Sequence, residues 1–119
     1  MLKVYEYTKC STCVKALKFL DAKKVKYEKL PIVEKAPSQK ELKEMLAALK
    51  EKGGSIKNLF NTSGLLYKEM KMSEKLPSMS EAEAIKLLSE HGKLVKRPFV
   101  ISDKTHLVGF KEDEWKKAF

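Results

Sequence analysis

The chain has two cysteines, three positions apart in Cys10-Ser11-Thr12-Cys13. A β-like run, Leu2 to Tyr7, leads into them and an amphipathic stretch follows. A C-x-x-C at a strand-to-helix turn sets one thiol at the helix N-terminus and the other a turn further in. Free backbone N–H groups and the helix dipole favour a thiolate at the first of these positions. Such settings bring a cysteine from about 8.5 into roughly the 3.5–7.5 range. Lys9 and Lys15 add positive charge nearby. Cys10 is therefore the predicted nucleophile. Cys13, partly on the apolar face, is predicted to be less exposed and to resolve a mixed disulfide on Cys10. The chemistry implied is thiol–disulfide exchange.

Other residues suit supporting roles. Proline opening a strand directly after a helix and loop, as in Arg97-Pro98, fits an edge or a special bond geometry. With Ser11 and Thr12, this pair is expected to line a substrate groove. Lys15, Asn61, Thr62 and Ser63 offer amine, amide and hydroxyl groups to an oxyanion or a partner, although Asn61 to Ser63 suits an ordinary turn equally well. His91 and His106 lie far from the cysteines at unhelpful spacing, so no zinc or other metal is expected. Met45, Met70, Met72 and Met79 read as packing residues.

The elements that must hold these groups follow from periodicity. Ser11 to Lys23 carries a helical stripe at Cys13, Ala16, Leu17 and Leu20. Val25 to Leu30 alternates as a strand, ended by Pro31, and a β-α-β order favours parallel pairing. Ser38 and Glu41 form a capping box before a helix bearing Leu42, Met45, Leu46 and Leu49, which stops near Gly53-Gly54. A short segment, Ile56 to Phe60, precedes the turn-rich Asn61-Thr-Ser-Gly64, and Leu65 to Met70 reads as another short helix. Ser80 and Glu83 repeat the capping box, with Gly92 as the expected C-cap. Pro98 to Ser102 and Thr105 to Gly109 read as a hairpin turning at Asp103-Lys104. A last helix, Lys111 to Ala118, should face Trp115 inward. Taken together this is an α/β chain in the thioredoxin-like order, with a mixed four-stranded sheet. Residues 1–34 and 94–119 form the expected core and about 35–93 an inserted helical subdomain.

Composition narrows the function classes. The 119 residues include 43% hydrophobic and 34% charged ones, as in an ordinary globular domain. No apolar stretch nears the ~20 residues that span a bilayer, and no signal-peptide pattern opens the sequence. A cytoplasmic protein, monomeric and without membrane contact, is expected. The net charge of +9 comes with one arginine, Arg97, among 25 basic residues. Its lysines alternate with glutamates, as on solvated helix faces, so direct nucleic-acid binding is not expected.

The quoted residues resemble the arsenate reductase/Spx family, also described as ArsC-like and including MgsR-like proteins. The resemblance runs through Cys10-Ser-Thr-Cys13-Val-Lys15, Pro37-Ser38, Asn61-Thr-Ser-Gly64 with Tyr67, Lys96-Arg97-Pro98 and Val108-Gly-Phe-Lys-Glu-Asp113. It spans nearly the whole chain and implies a thioredoxin-like fold with a helical insertion and a cis-proline facing the C-x-x-C. The family's enzymes attack arsenate with a cysteine aligned with Cys10, hold the oxyanion with several arginines, and finish with glutathione and glutaredoxin. Here only Arg97 matches those arginines, and lysines lack the bidentate fork. Spx-type regulators use the C-x-x-C as a redox switch. They bind RNA polymerase, at the C-terminal domain of its α polypeptide, through a Gly and an Arg in the insertion. Gly53 or Gly54 can stand for that Gly, but Asn61 to Ser63 supplies no base. The resemblance thus implies a glutaredoxin-like thiol–disulfide oxidoreductase with no bound cofactor and glutathione or thioredoxin as electron donor. The alternative is a polymerase-binding redox regulator, and arsenate reduction is the third reading.

Overall fold

The computed structural model describes residues 2–119. Four strands form one mixed sheet in the order β2-β1-β3-β4: β1 (Leu2–Glu6), β2 (Tyr27–Pro31), β3 (Phe99–Ile101) and β4 (His106–Val108). β1 pairs parallel with β2 and antiparallel with β3, and β3 and β4 make the antiparallel hairpin. The fold is thioredoxin-like.

Strand alternation decides which helices cover which face. Leu2, Val4, Val100 and Leu107 project to one side and pack on Ala16 and Leu20 of α1 (Ser11–Ala22) and on Trp115 of α6 (Glu112–Ala118). Tyr5, Phe99 and Ile101 project to the other. There they share a core with Leu42, Met45 and Leu46 of α2 (Gln39–Glu51), and with Ala84, Ile85 and Leu88 of α5 (Glu81–Glu90). Two shorter helices, α3 (Leu65–Glu69) and α4 (Met72–Lys75), add Tyr67 and Met72 to the same core. Among the described residues no helix is long and apolar enough to cross a membrane.

Local chemistry explains the element ends. Ser38 and Ser80 accept the Glu41 and Glu83 N–H groups at 3.1 Å, and each glutamate returns a bond to its serine's N–H, so both capping boxes form. Helix α1 ends in a Schellman motif with Lys24 left-handed (φ 57) and the Val25 N–H on the Leu20 carbonyl at 3.0 Å. Val25 is thereby taken up by the helix end, and β2 begins at Tyr27 rather than at Val25. Pro31, expected just past the strand, is its last residue, tolerated because β2 is an edge.

Two further expectations are corrected. Gly92 is not a left-handed C-cap: α5 ends on His91, and Gly92 starts a 3-10 turn. A Cβ at Gly92 would fall 1.7 Å from the Ile32 carbonyl oxygen, so close approach between two backbones is what requires glycine there. Helix α4 was also not anticipated. Its signal was the buried pair Met72 and Leu76, four residues apart and separated from α3 by a left-handed Lys71. The hairpin strands and α6 are each slightly shorter than their expected spans. Met45 and Met72 are buried and Met70 and Met79 partly so, all packed in the larger core.

Candidate active site

Cys10 is the N-cap of α1, in extended conformation (φ −94, ψ 115). The turn before it is closed by the Cys10 N–H on the Tyr7 carbonyl at 3.0 Å, which brings the end of β1 directly to the helix start. The Cys10 sulfur accepts the Cys13 N–H at 3.4 Å, the bond that a serine or aspartate cap would make. Both cysteines are free thiols, Cys10 partly exposed and Cys13 buried.

The surroundings drive the two thiols apart. Partial burial works against a charged Cys10. It is outweighed by the Cys13 thiol and N–H and by the Arg97 guanidinium, so Cys10 lies below the ordinary cysteine value. Burial pushes Cys13 up to about 12; the Tyr7 backbone opposes this, and the neighbouring Cys10 adds to it. Cys10 is thus the more readily ionised of the two thiols and Cys13 the protected acid.

Arg97, rather than Lys9 or Lys15, is the cation felt by the sulfur. It precedes Pro98 through a cis peptide bond, at the entry to β3. Its guanidinium lies over the Tyr7 ring at 4.7 Å from the centroid, and its buried Nε has no hydrogen-bond partner among the described residues.

An open cleft of about 650 Å³ surrounds this centre. Of the residues singled out from sequence, Cys10, Ser11, Thr12, Asn61, Ser63 and Arg97 line it. Cys13 and Pro98 lie buried beneath, whereas Lys15 and Thr62 are exposed and do not line the cleft. Asn61 is fixed there by its N–H on the Leu94 carbonyl at 2.7 Å, and the Ser63 hydroxyl donates to its side chain at 3.4 Å. The sequence reading did not place Gly64, Leu65, Lys96, Gly109, Phe110 or Lys111 at the site, although all line the cleft. The Val108 to Lys111 run carried a family resemblance, but only the hairpin and α6 bring it beside Cys10. Gly109 is left-handed (φ 73) with Lys96 packed against it, and its carbonyl accepts the buried Trp115 indole N–H at 3.2 Å. Among the described residues no group of three or more His, Cys, Asp or Glu is arranged to hold a metal.

The model of the ArsC family matches residues 5–118, the span that carries both cysteines, Arg97 and the Gly109 turn. This chain belongs to the ArsC family. It is 44% identical over 117 residues to the uncharacterized protein YusI of Bacillus subtilis, covering 98% of this chain and 96% of YusI. The regulatory protein MgsR of Bacillus subtilis is 26% identical over 113 residues, covering 95% and 86%. Among solved structures, an ArsC-family-related protein from Bacteroides fragilis superposes with a TM-score of 0.90 at 45% identity, covering 99% of this chain and 97% of the other. The ArsC-family fold thus accounts for nearly the whole chain, and the similar proteins include, besides the regulator, a possible arsenate reductase from Streptococcus mutans (TM-score 0.88, 32% identity, covering 100% of this chain and 98% of the other).

Proposed function

We propose that this ArsC-family chain is a glutaredoxin-like thiol–disulfide oxidoreductase in which Cys10 attacks and Cys13 resolves. The observation that carries this reading is the capping sulfur of Cys10, which accepts the Cys13 backbone N–H, shares its cleft with Arg97 and has a buried partner thiol one turn away. The Cys10 thiolate attacks one sulfur of a substrate disulfide, forming a mixed disulfide and releasing the first thiolate. Cys13 then attacks Cys10, closes the intramolecular disulfide and releases the second. Part of what raises Cys13 is the Cys10 charge, and that contribution vanishes once Cys10 is in the mixed disulfide. Resolution is thereby favoured only after attack. Glutathione or thioredoxin would return the two electrons, with no bound cofactor.

Arsenate is a poor fit for the site. Arg97 is the one arginine of the chain, and it stands beside lysines that cannot clamp an oxyanion bidentately. A second reading, favoured by the match to the regulatory protein MgsR, is a redox switch that binds the RNA polymerase α C-terminal domain without turnover.

NADPH consumption coupled through glutathione or thioredoxin separates these readings, with arsenate and a small mixed disulfide offered in parallel and Cys10→Ser as control. The oxidoreductase reading expects Cys10-dependent turnover of the disulfide and little of arsenate. No turnover of either, with redox-dependent capture of the polymerase domain, would replace it with the switch.

A further inference from the structure

The cleft at Cys10 is one-sided in charge. Lys9, Lys96, Arg97 and Lys111 line it, and no carboxylate does. Its apolar rim is equally uneven. Leu65, at the start of α3, is 77% exposed, and the other exposed large apolar side chain among the described residues is Val14, at 41%. Val14 lies one turn beyond Cys10 on α1 and does not line the cleft, so Leu65 is the exposed one at the site. A lone exposed leucine needs no explanation in general. This one, however, lines both the cleft and a second hollow of about 300 Å³ that Arg97 also borders, where Tyr7, Leu66, Lys93 and one carboxylate, Glu69, contribute.

We propose that the cleft receives a cysteine-bearing segment of another polypeptide, with acidic residues and a bulky apolar side chain flanking the reacting cysteine. This deepens the oxidoreductase reading and rests on it. The two adjoining hollows offer more room than a small disulfide fills, and they share Asn61, Gly64, Leu65 and Arg97. Carboxylates on the segment face Lys9, Lys96 and Lys111, and its apolar side chain covers Leu65. Opposite charge across such a surface raises the rate of encounter and excludes basic partners. Cys10 attacks the segment's sulfur, its thiolate leaving group departs, and Cys13 then expels the segment as a thiolate. The chain is oxidised by two electrons and the substrate disulfide is reduced by two; an external thiol restores the dithiol.

The test uses the reduced full chain and short synthetic peptides whose single cysteine carries a pyridylthio group, so that attack on the peptide sulfur releases pyridine-2-thione. One peptide has glutamates and a leucine around the cysteine; in the others lysines replace the glutamates or serine replaces the leucine. Glutathione pyridyl disulfide and neutral dithiodipyridine complete the set. The glutamate–leucine peptide is expected to react about tenfold faster than the lysine peptide at low salt, with the gap closing as salt rises. A Leu65→Ser variant should lose the preference for leucine over serine, and a Lys96→Gln/Lys111→Gln variant should narrow the charge preference. Equal rates for the acidic and basic peptides would overturn the proposal, as would glutathione pyridyl disulfide matching the best peptide. Failure of Cys10 to react even with dithiodipyridine would instead overturn the oxidoreductase reading beneath it.

Discussion

The Cys10 sulfur accepts the backbone N–H of Cys13 at 3.4 Å, while the Cys13 side chain itself is wholly buried. The helix therefore uses the Cys10 thiol as its own N-cap, and the neighbouring thiol is stored where it is not readily alkylated.

Differential alkylation reads this arrangement. Cys10 should react with iodoacetamide with a midpoint below that of free cysteine, while Cys13 stays unmodified in the folded protein. Arg97→Gln removes the positive charge that favours the thiolate. It should move the midpoint to higher pH and slow alkylation below it roughly three- to tenfold. For Cys13 the raised value favours the protonated folded state. Its contribution to stability is fully present below the ordinary cysteine value and is lost as pH rises toward about 12. Denaturant melts of reduced protein above pH 9 should fall accordingly, and Cys13→Ala should reduce that slope.

Tyr5 and Glu41 form a second testable pair. The Tyr5 hydroxyl donates to Glu41 Oε1 at 2.7 Å, tying β1 to the first turn of α2. Tyr5→Phe should cost about 1–2 kcal/mol in urea unfolding, as expected for a hydrogen bond to a charged acceptor. Partial burial opposes ionisation of Glu41, but the Ser38 N–H, the Tyr5 hydroxyl and Lys3 together hold it below the ordinary carboxylate value. The Glu41 contribution is thus present above that ordinary value and lost as pH falls through the lowered one. The deficit of Tyr5→Phe should shrink in acid.

Lys24 holds a left-handed conformation at the end of α1, where most helices place glycine. Lys24→Gly should raise stability by about 0.5–1 kcal/mol, the relief of strain exceeding the added freedom of the unfolded chain. A thermal melt suffices to check the sign.

Gly92 has the opposite prospect. An alanine there places its Cβ 1.7 Å from the Ile32 oxygen, and one of two backbone segments must move. Gly92→Ala should destabilise by about 3 kcal/mol or more. Because Ile32 follows the edge strand that pairs with β1, broadened amide signals should appear first around Ile32 and Val33.

Much of the architecture was legible in order along the chain, because its determinants are local. The two Ser-x-x-Glu boxes start α2 and α5 where the spacing places them. The apolar stripe of α1 and the hairpin turn at Asp103-Lys104 likewise need only near neighbours. Cys10 as the N-cap and Cys13 as the buried thiol follow from position in one helical turn. What depended on distant residues was not legible. Gly92 looked like a helix terminator, since nothing in its neighbourhood announces the Ile32 carbonyl packed against it. Lys9 and Lys15 were the cations expected to act on Cys10 because they are near in sequence, yet the one that favours its charged form is Arg97, 87 positions further along the sequence. Antiparallel pairing of β3 with β1 puts it there. The remaining cleft wall, from Leu65 and from Lys96 to Lys111, is assembled by the same sheet and by the helices packed on it. Sequence alone determined which thiol caps the helix and which is buried, because helix capping is a short-range effect. The cation, the cleft and its apolar rim were decided by tertiary structure, which alone brings residues so far apart in the chain around one sulfur.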